Sequence, residues 1–181
     1  VGTMLCHKPV RGKETRTGWM HAGPGARDYH TTSRAAFDRN GTVIAMETDI
    51  VADMGCDGAE RGCGIGMPLN GGNYAPGPYN IENYRTNIRC VVTNKGPYNA
   101  YRGYGKDLAN MLIERLLDQA ADKLEIDPIE IRKRNLLTKY PFQLVTGPII
   151  ENGTLRECLE KLANNMKLPE LRKEQANALR E

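Results

Sequence analysis

Nowhere in the 181 residues does a Cys-x-x-Cys pair occur, and the five cysteines, Cys6, Cys56, Cys63, Cys90 and Cys158, form an odd, widely spaced set. That spacing supports neither a disulfide framework nor a zinc site, so the thiols read as buried or incidental. His7, His21 and His30 share no metal-ligand spacing. No run approaches the roughly 18 apolar residues of a membrane-spanning helix, and the N-terminus lacks the charged-then-apolar order of a signal peptide, so a cytoplasmic setting is expected. No charge of one sign dominates either: 25 basic residues face 22 acidic ones along the chain, a net +3 that leaves no nucleic-acid or membrane footprint. Internal repeats are also missing.

What remains is an ordinary globular composition, 40% hydrophobic and 26% charged, with enough apolar material for a sizeable core. The short apolar piece Val1 to Cys6 has no capping residue before it, as if the chain were entered midway through an element. Residues Arg27 to Phe37 and Thr42 to Ala52 are rich in Thr, Val, Ile and Ala, and Asn40-Gly41 between them signals a hairpin. Asn40-Gly41-Thr42 and Asn152-Gly153-Thr154 match the glycosylation pattern but read better as turns. Gly55 to Asn83, with many of the 19 glycines and with Pro68, Pro76 and Pro78, reads as a loop-rich insert without long regular elements.

Thr86 to Thr93 alternates toward a strand that ends at Asn94-Lys95-Gly96-Pro97. From Lys106 to Leu124, apolar residues at Leu108, Met111, Leu112, Leu116, Ala120 and Leu124 follow a 3.6 period and predict a helix. Asp127-Pro128-Ile129-Glu130 supplies a capping Asp, a first-turn Pro and a Glu for a second helix to about Asn135. Thr154-Leu155-Arg156-Glu157 opens another to about Asn165, and Pro169 to Arg180 suits a last, exposed one. Hairpin, strand and helices in this order make an α+β fold rather than a regularly alternating one.

The chemistry-bearing stretch is Ala100-Tyr101-Arg102-Gly103-Tyr104-Gly105, between the strand and the long helix. It is no phosphate loop of the P-loop type, which needs four residues between its first Gly and the Gly-Lys pair. Gly103-x-Gly105 also lacks the third Gly of a dinucleotide fingerprint. Either the glycines merely allow a sharp strand-to-helix turn, or the turn presents backbone N–H groups and the Arg102 guanidinium to an oxyanion-bearing cofactor, with Tyr104 facing a flat substrate.

Here the sequence resembles the large, molybdopterin-binding subunit of the molybdenum hydroxylases, the family of xanthine dehydrogenase, aldehyde oxidase and aerobic carbon monoxide dehydrogenase. Lys8-Pro9-Val10-Arg11 with Arg16 resembles the family's Arg-Pro-Val-Lys segment and later Arg, and Phe37 to Ala45 its hairpin. Gly77-Pro78-Tyr79-Asn80-Ile81-Glu82-Asn83 resembles its Tyr-x-Ile-Pro-Asn segment, and Ala100 to Gly105 its Ala-(Phe or Tyr)-Arg-Gly-x-Gly loop. Asp127 to Leu136 resembles its Asp-Pro-x-Glu-x-Arg-x-x-Asn-Leu helix. By register, Gly12-Lys13-Glu14-Thr15-Arg16 is not the similar segment in which a Glu binds substrate, so Glu14 reads as solvated and Arg16 as structural.

The resemblance implies that Ala100, Tyr101, Arg102 and Gly103 contact a molybdenum–molybdopterin cofactor and that Tyr104 and Asn70 face the substrate. It implies residues 1–146 as part of a first molybdopterin-binding domain and residues 147–181 as the helical start of a connection to a second. The implied activity is hydroxylation of an aldehyde or N-heteroaromatic compound with water as the oxygen source, performed within a larger enzyme, the chain being inactive alone. Partner chains or domains would carry iron–sulfur clusters and FAD. The family's Gly-Gly-Phe-Gly loop and its Gly-x-Gly-Glu segment, which bears the base, are missing, so a fragment or a split subunit is expected. Asn70 stands where xanthine dehydrogenases carry a substrate-directed Arg, and Gly103 where carbon monoxide dehydrogenase has its copper-binding Cys, which argues against both substrates. The competing expectation is a scaffold or degenerate subunit that binds partner subunits without cofactor.

Overall fold

The computed structural model describes residues 1–23, 25, 28–56 and 63–178; the strand start expected at Arg27 and the helix end expected at Arg180 lie outside them. The exposed N-terminal segment holds two short helices, α1 (Gly2–Cys6) and α2 (Arg16–Ala22). Thr15 starts α2 by accepting the Gly18 N–H at 3.1 Å, so Gly-Lys-Glu-Thr-Arg is a helix start and Glu14 is exposed.

The sheet has three strands in the order β1 (Tyr29–Phe37), β2 (Val43–Asp53), β3 (Asn83–Val91), with β1 antiparallel and β3 parallel to β2. The hairpin turn is longer than the two-residue turn that Asn40-Gly41 suggests. The Asp38 carboxylate accepts the N–H groups of Asn40 and Thr42 at 2.9 and 2.8 Å, and Gly41 takes φ 79°. Alternate residues of β2, among them Met46, Thr48, Ile50 and Ala52, are buried, so one face of the sheet meets the helices.

A parallel β3 requires a crossover, and the chain supplies α3 (Cys63–Asn73) where the glycine and proline content predicts only loop. Propensity loses to packing here. Pro68 is fully buried, and Cβ atoms added at Gly71 and Gly72 would come within 2.8 Å of Leu108 and 2.7 Å of Ile88. Small residues let the helix lie between the next helix and the sheet.

The long helix α4 (Lys106–Leu124) has the limits its period predicts, but Leu108, Ala109, Leu112, Ile113, Leu117, Ala120 and Ala121 are its buried face and Met111 turns outward. It packs with Met46, Ile50, Tyr79, Ile81 and Ile131 in the main core. In α5 (Pro128–Asn135) the Asp127 carboxylate accepts the Ile129 N–H at 2.7 Å and the Glu130 N–H at 3.3 Å, as the capping pattern predicts. Arg132 joins α5 to α4 through Glu114 and Asp118, both at 2.8 Å. A two-stranded ribbon, β4 (Phe142–Gln143) and β5 (Ile149–Ile150), precedes α6 (Leu155–Asn165) and α7 (Leu168–Ala178). Thr154 makes no side-chain cap; its hydroxyl lies 3.6 Å from the Cys158 sulfur instead.

Cys6, Cys56, Cys90 and Cys158 are free and exposed, so of the two expected readings, buried or incidental, these four are not buried; the Cys63 side chain lies outside the described residues. Among the described residues, no helix is long and apolar enough to cross a membrane.

Two polar clusters hold the frame. Asn135, 2% exposed, accepts the Val43 N–H at 2.8 Å and donates to the carbonyls of Gly41 and Ile131 at 2.7 and 2.8 Å, tying α5 to the hairpin turn. At the other end of β2, Asp53 accepts from the Thr93 hydroxyl at 2.6 Å and the Gly55 N–H at 2.9 Å, and pairs with Lys95 at 2.9 Å. Asn135→Ala strands a buried donor and a buried acceptor, and should cost about 2–4 kcal/mol in urea denaturation of the chain.

Donation from Thr93, then from Lys95 and the Gly55 amide, holds the Asp53 carboxyl at about 2, below its ordinary 3.8. The folded state therefore favours the ionised form, and the resulting stabilisation is complete above the ordinary value and lost as pH falls toward the depressed one. Melting temperature followed from pH 5 down to about 2 should drop less steeply in Asp53→Asn than in the natural chain.

Candidate functional site

The loop at Ala100 begins where the chain leaves β3 and folds back across the end of β2. Met54 donates to the Val91 carbonyl at 2.8 Å, Thr93 to the Gly55 carbonyl at 3.0 Å, and Tyr98 to the Met54 carbonyl at 3.1 Å. Gly55, at φ 64°, is required at this crossing, since a Cβ there would lie 1.9 Å from the Gly96 carbonyl oxygen. Lys95 bridges Asp28 at 2.5 Å and Asp53 at 2.9 Å, fixing the return segment electrostatically. Tyr98 is buried and meets Tyr29 edge to face, centroids 5.8 Å apart. Asn99 donates its N–H to the Gly25 carbonyl at 2.8 Å, and its side chain accepts the Ala100 N–H at 2.7 Å.

These contacts deliver Ala100, half-buried, to a small core of Ala52, Met54, Met67 and Tyr98. The chain then rises into solvent: Tyr101 is 83% exposed, and Arg102 and Gly103 are exposed beside it. Tyr98 and Tyr101, which bracket the loop in sequence, therefore lie in opposite environments. Gly103, Tyr104 and Gly105 follow with φ of 95°, 49° and 89°, a left-handed turn that brings the backbone down again. Two of these positions are glycine for steric reasons, whereas Tyr104 is held there against its own preference.

Gly105 ends the turn buried, as the N-cap of α4. A Cβ on it would lie 2.0 Å from the Met67 carbonyl oxygen and 2.9 Å from the Gly71 nitrogen, so α3 runs directly over the start of α4. The Lys106 ammonium, 4.8 Å from the centre of the Tyr74 ring, closes the same junction. Asn70 lies on this stretch of α3, half-buried, immediately before Gly71. The structure thus brings the helix bearing Asn70 against the loop bearing Ala100 to Tyr104. Sequence reading misses that helix and its Gly66 and Met67 contacts, and spaced glycines around a proline were the only available signal.

Electrostatically the crest is mixed. Asp107, in the first turn of α4, folds under Gly103: a Cβ at Gly103 would sit 3.1 Å from its Oδ1. The positive end of the helix dipole is therefore already opposed by a carboxylate. What the crest offers an oxygen-rich anion is the Arg102 guanidinium and the exposed stretch Tyr101 to Gly103. That donor set fits the polar edge of a pterin cofactor. Among the described residues no group of three or more His, Cys, Asp or Glu side chains is placed to hold a metal ion.

Known proteins share both the sequence pattern and the fold. Residues 1–136 match the molybdopterin cofactor-binding domain family. The chain is 30% identical to the carbon monoxide dehydrogenase large chain of Hydrogenophaga pseudoflava over 97% of its own length and 22% of that protein's. It is 33% identical to the xanthine dehydrogenase molybdenum-binding subunit of Escherichia coli O157:H7, over 84% of this chain and 20% of that one. The crystal structure of quinoline 2-oxidoreductase from Pseudomonas putida 86 superposes with a TM-score of 0.88 at 27% identity, covering 97% of this chain and 23% of that one. The chain spans about a fifth of the length of these curated relatives. On the match over residues 1–136 and the fold it specifies, the chain belongs to the molybdopterin cofactor-binding domain family.

Proposed function

We propose that this chain forms one wall of the active site of a molybdenum hydroxylase, working within a larger enzyme that oxidises an aldehyde or an N-heteroaromatic compound with water as the oxygen source. The observation that carries this reading is the exposed crest at Tyr101 to Gly103, anchored at Ala100 and Gly105, within a chain that belongs to the molybdopterin cofactor-binding family. When bound, the molybdenum–molybdopterin group supplies the two-electron oxidation at a substrate carbon. The protein's part is position and electrostatics.

Arg102 holds the cofactor's anionic edge through a planar, permanently charged fork, and the amides of Tyr101 to Gly103 add neutral donors. Gly103 lets the crest take its positive φ of 95° above Asp107, which keeps the loop in place beside the cofactor. Ala100 lines the floor. Tyr104 offers a flat face to a planar substrate, and Asn70 a neutral hydrogen-bonding group where a charged side chain would demand an acidic one. No thiol stands on the crest, so carbon monoxide is a poor candidate, and a neutral Asn70 disfavours xanthine.

The proton acceptor for the reaction lies outside this chain, as do the iron–sulfur and flavin centres that remove electrons. Residues 1–146 act as part of the first cofactor-binding domain, and residues 147–181 connect it to the second. In the complete enzyme, Arg102→Ala should lose most of its pterin and molybdenum, measured by metal analysis and by fluorescence of the released pterin. Full cofactor content and turnover in that variant would remove the role assigned to Arg102, and a metal-free natural enzyme would favour a scaffold.

A further inference from the structure

The loop and α3 meet at a second point besides Gly105. A Cβ built on Gly66 would lie 2.2 Å from the Tyr104 hydroxyl oxygen, 2.9 Å from Cζ and 3.2 Å from Cε1. The outer edge of the Tyr104 ring therefore rests on the backbone of α3, in space that exists only because residue 66 has no side chain. Tyr104 is 37% exposed, so the ring has α3 on one side and open space on another. Its backbone is fixed as well, at φ 49° between two glycines of positive φ. With the backbone set by the turn and the ring tip set by α3, the side chain has little freedom to re-aim.

We propose that Gly66 is a specificity-determining residue of this site: by letting Tyr104 lie back on α3, it sets the width of the slot that a flat substrate enters. This rests on the proposed role of the crest as an active-site wall, and goes beyond it by assigning the setting of that wall to the residue of α3 on which the Tyr104 ring rests. A methyl group at position 66 cannot be accommodated by α3, which Met67 and Gly71 hold against Gly105. The Tyr104 ring must move instead, away from α3 and into the slot. The consequence is selective: planar bicyclic substrates lose access, whereas a small aliphatic aldehyde loses little.

The test compares the complete enzyme with its Gly66→Ala variant, using quinoline and acetaldehyde as probes and molybdenum content as the loading control. The ratio of kcat/KM for quinoline to that for acetaldehyde should fall about tenfold or more, through KM for quinoline, as expected when a pocket wall shifts by a methyl group. Gly66→Ala combined with Tyr104→Phe removes the atom in closest conflict but leaves Cζ at 2.9 Å, and should recover part of the ratio.

An independent readout is nitration by tetranitromethane. Trypsin cleaves after Arg102 and so separates Tyr101, an exposed internal reference, from Tyr104. In Gly66→Ala the nitration of Tyr104 relative to Tyr101 should rise, with or without cofactor. Molybdenum retained in the variant, with both the substrate ratio and the nitration ratio unchanged, would overturn this inference and leave the proposed function standing. Absence of molybdenum from the natural enzyme would overturn both.

Discussion

The contact on which the site depends is between backbones: the α-carbon of Gly105 faces the Met67 carbonyl so closely that one added carbon would lie 2.0 Å from its oxygen. It fixes where α4 begins, and through α4 it fixes the main core, because Leu108, Leu112, Ile113 and Leu117 must then meet Met46 and Ile50 of the sheet. It also fixes the height of the crest. Ala100 is held by the small core around Tyr98 and Gly105 by α3, so only the residues between them rise into solvent. A loop anchored at both ends has little conformational freedom left to lose.

Several residues that carry the family resemblance have structural duties. In the Asp127 to Leu136 segment, Asp127 caps α5, Arg132 pairs with Glu114 and Asp118, and Asn135 ties the helix to the hairpin turn. Tyr79, in the segment Gly77 to Asn83, donates to Glu114 at 2.7 Å, and burial followed by that carboxylate raises its hydroxyl well above the usual range. It stays a neutral donor and completes the Arg132 cluster. These motifs build the frame on which the exposed crest stands.

The legible and illegible parts of the fold divide along local against non-local causes. The limits of α4 and α5 were readable because a 3.6 period and an Asp-Pro start act within the segment itself. The strands of the hairpin were readable for the same reason, although the turn between them is organised by Asp38 rather than by Asn40-Gly41 alone. The helix α3 was not readable, because its glycines and Pro68 disfavour helix locally and are tolerated only through contacts with Leu108, Gly105 and Ile88. Met111 misled for a related reason: it fits the period, but the buried stripe runs along Ala109, Ile113, Leu117 and Ala121. At the site, the loop motif was visible, whereas the glycines of α3 that shape it carry no local signature.

The left-handed turn at Gly103 to Gly105 places a burden on Tyr104 that glycine would not bear, of about 1–2 kcal/mol for a side-chain-bearing residue in that region. Such a conformation persists where surrounding contacts over-determine it. Gly105 under Met67 and Gly66 under the Tyr104 ring supply two such contacts. Replacing Tyr104 by glycine would relieve the backbone and remove the ring, so the strain is tied to the side chain that remains. The strain is thus borne by the one side chain of the turn, whose ring lies against Gly66 at the edge of the crest.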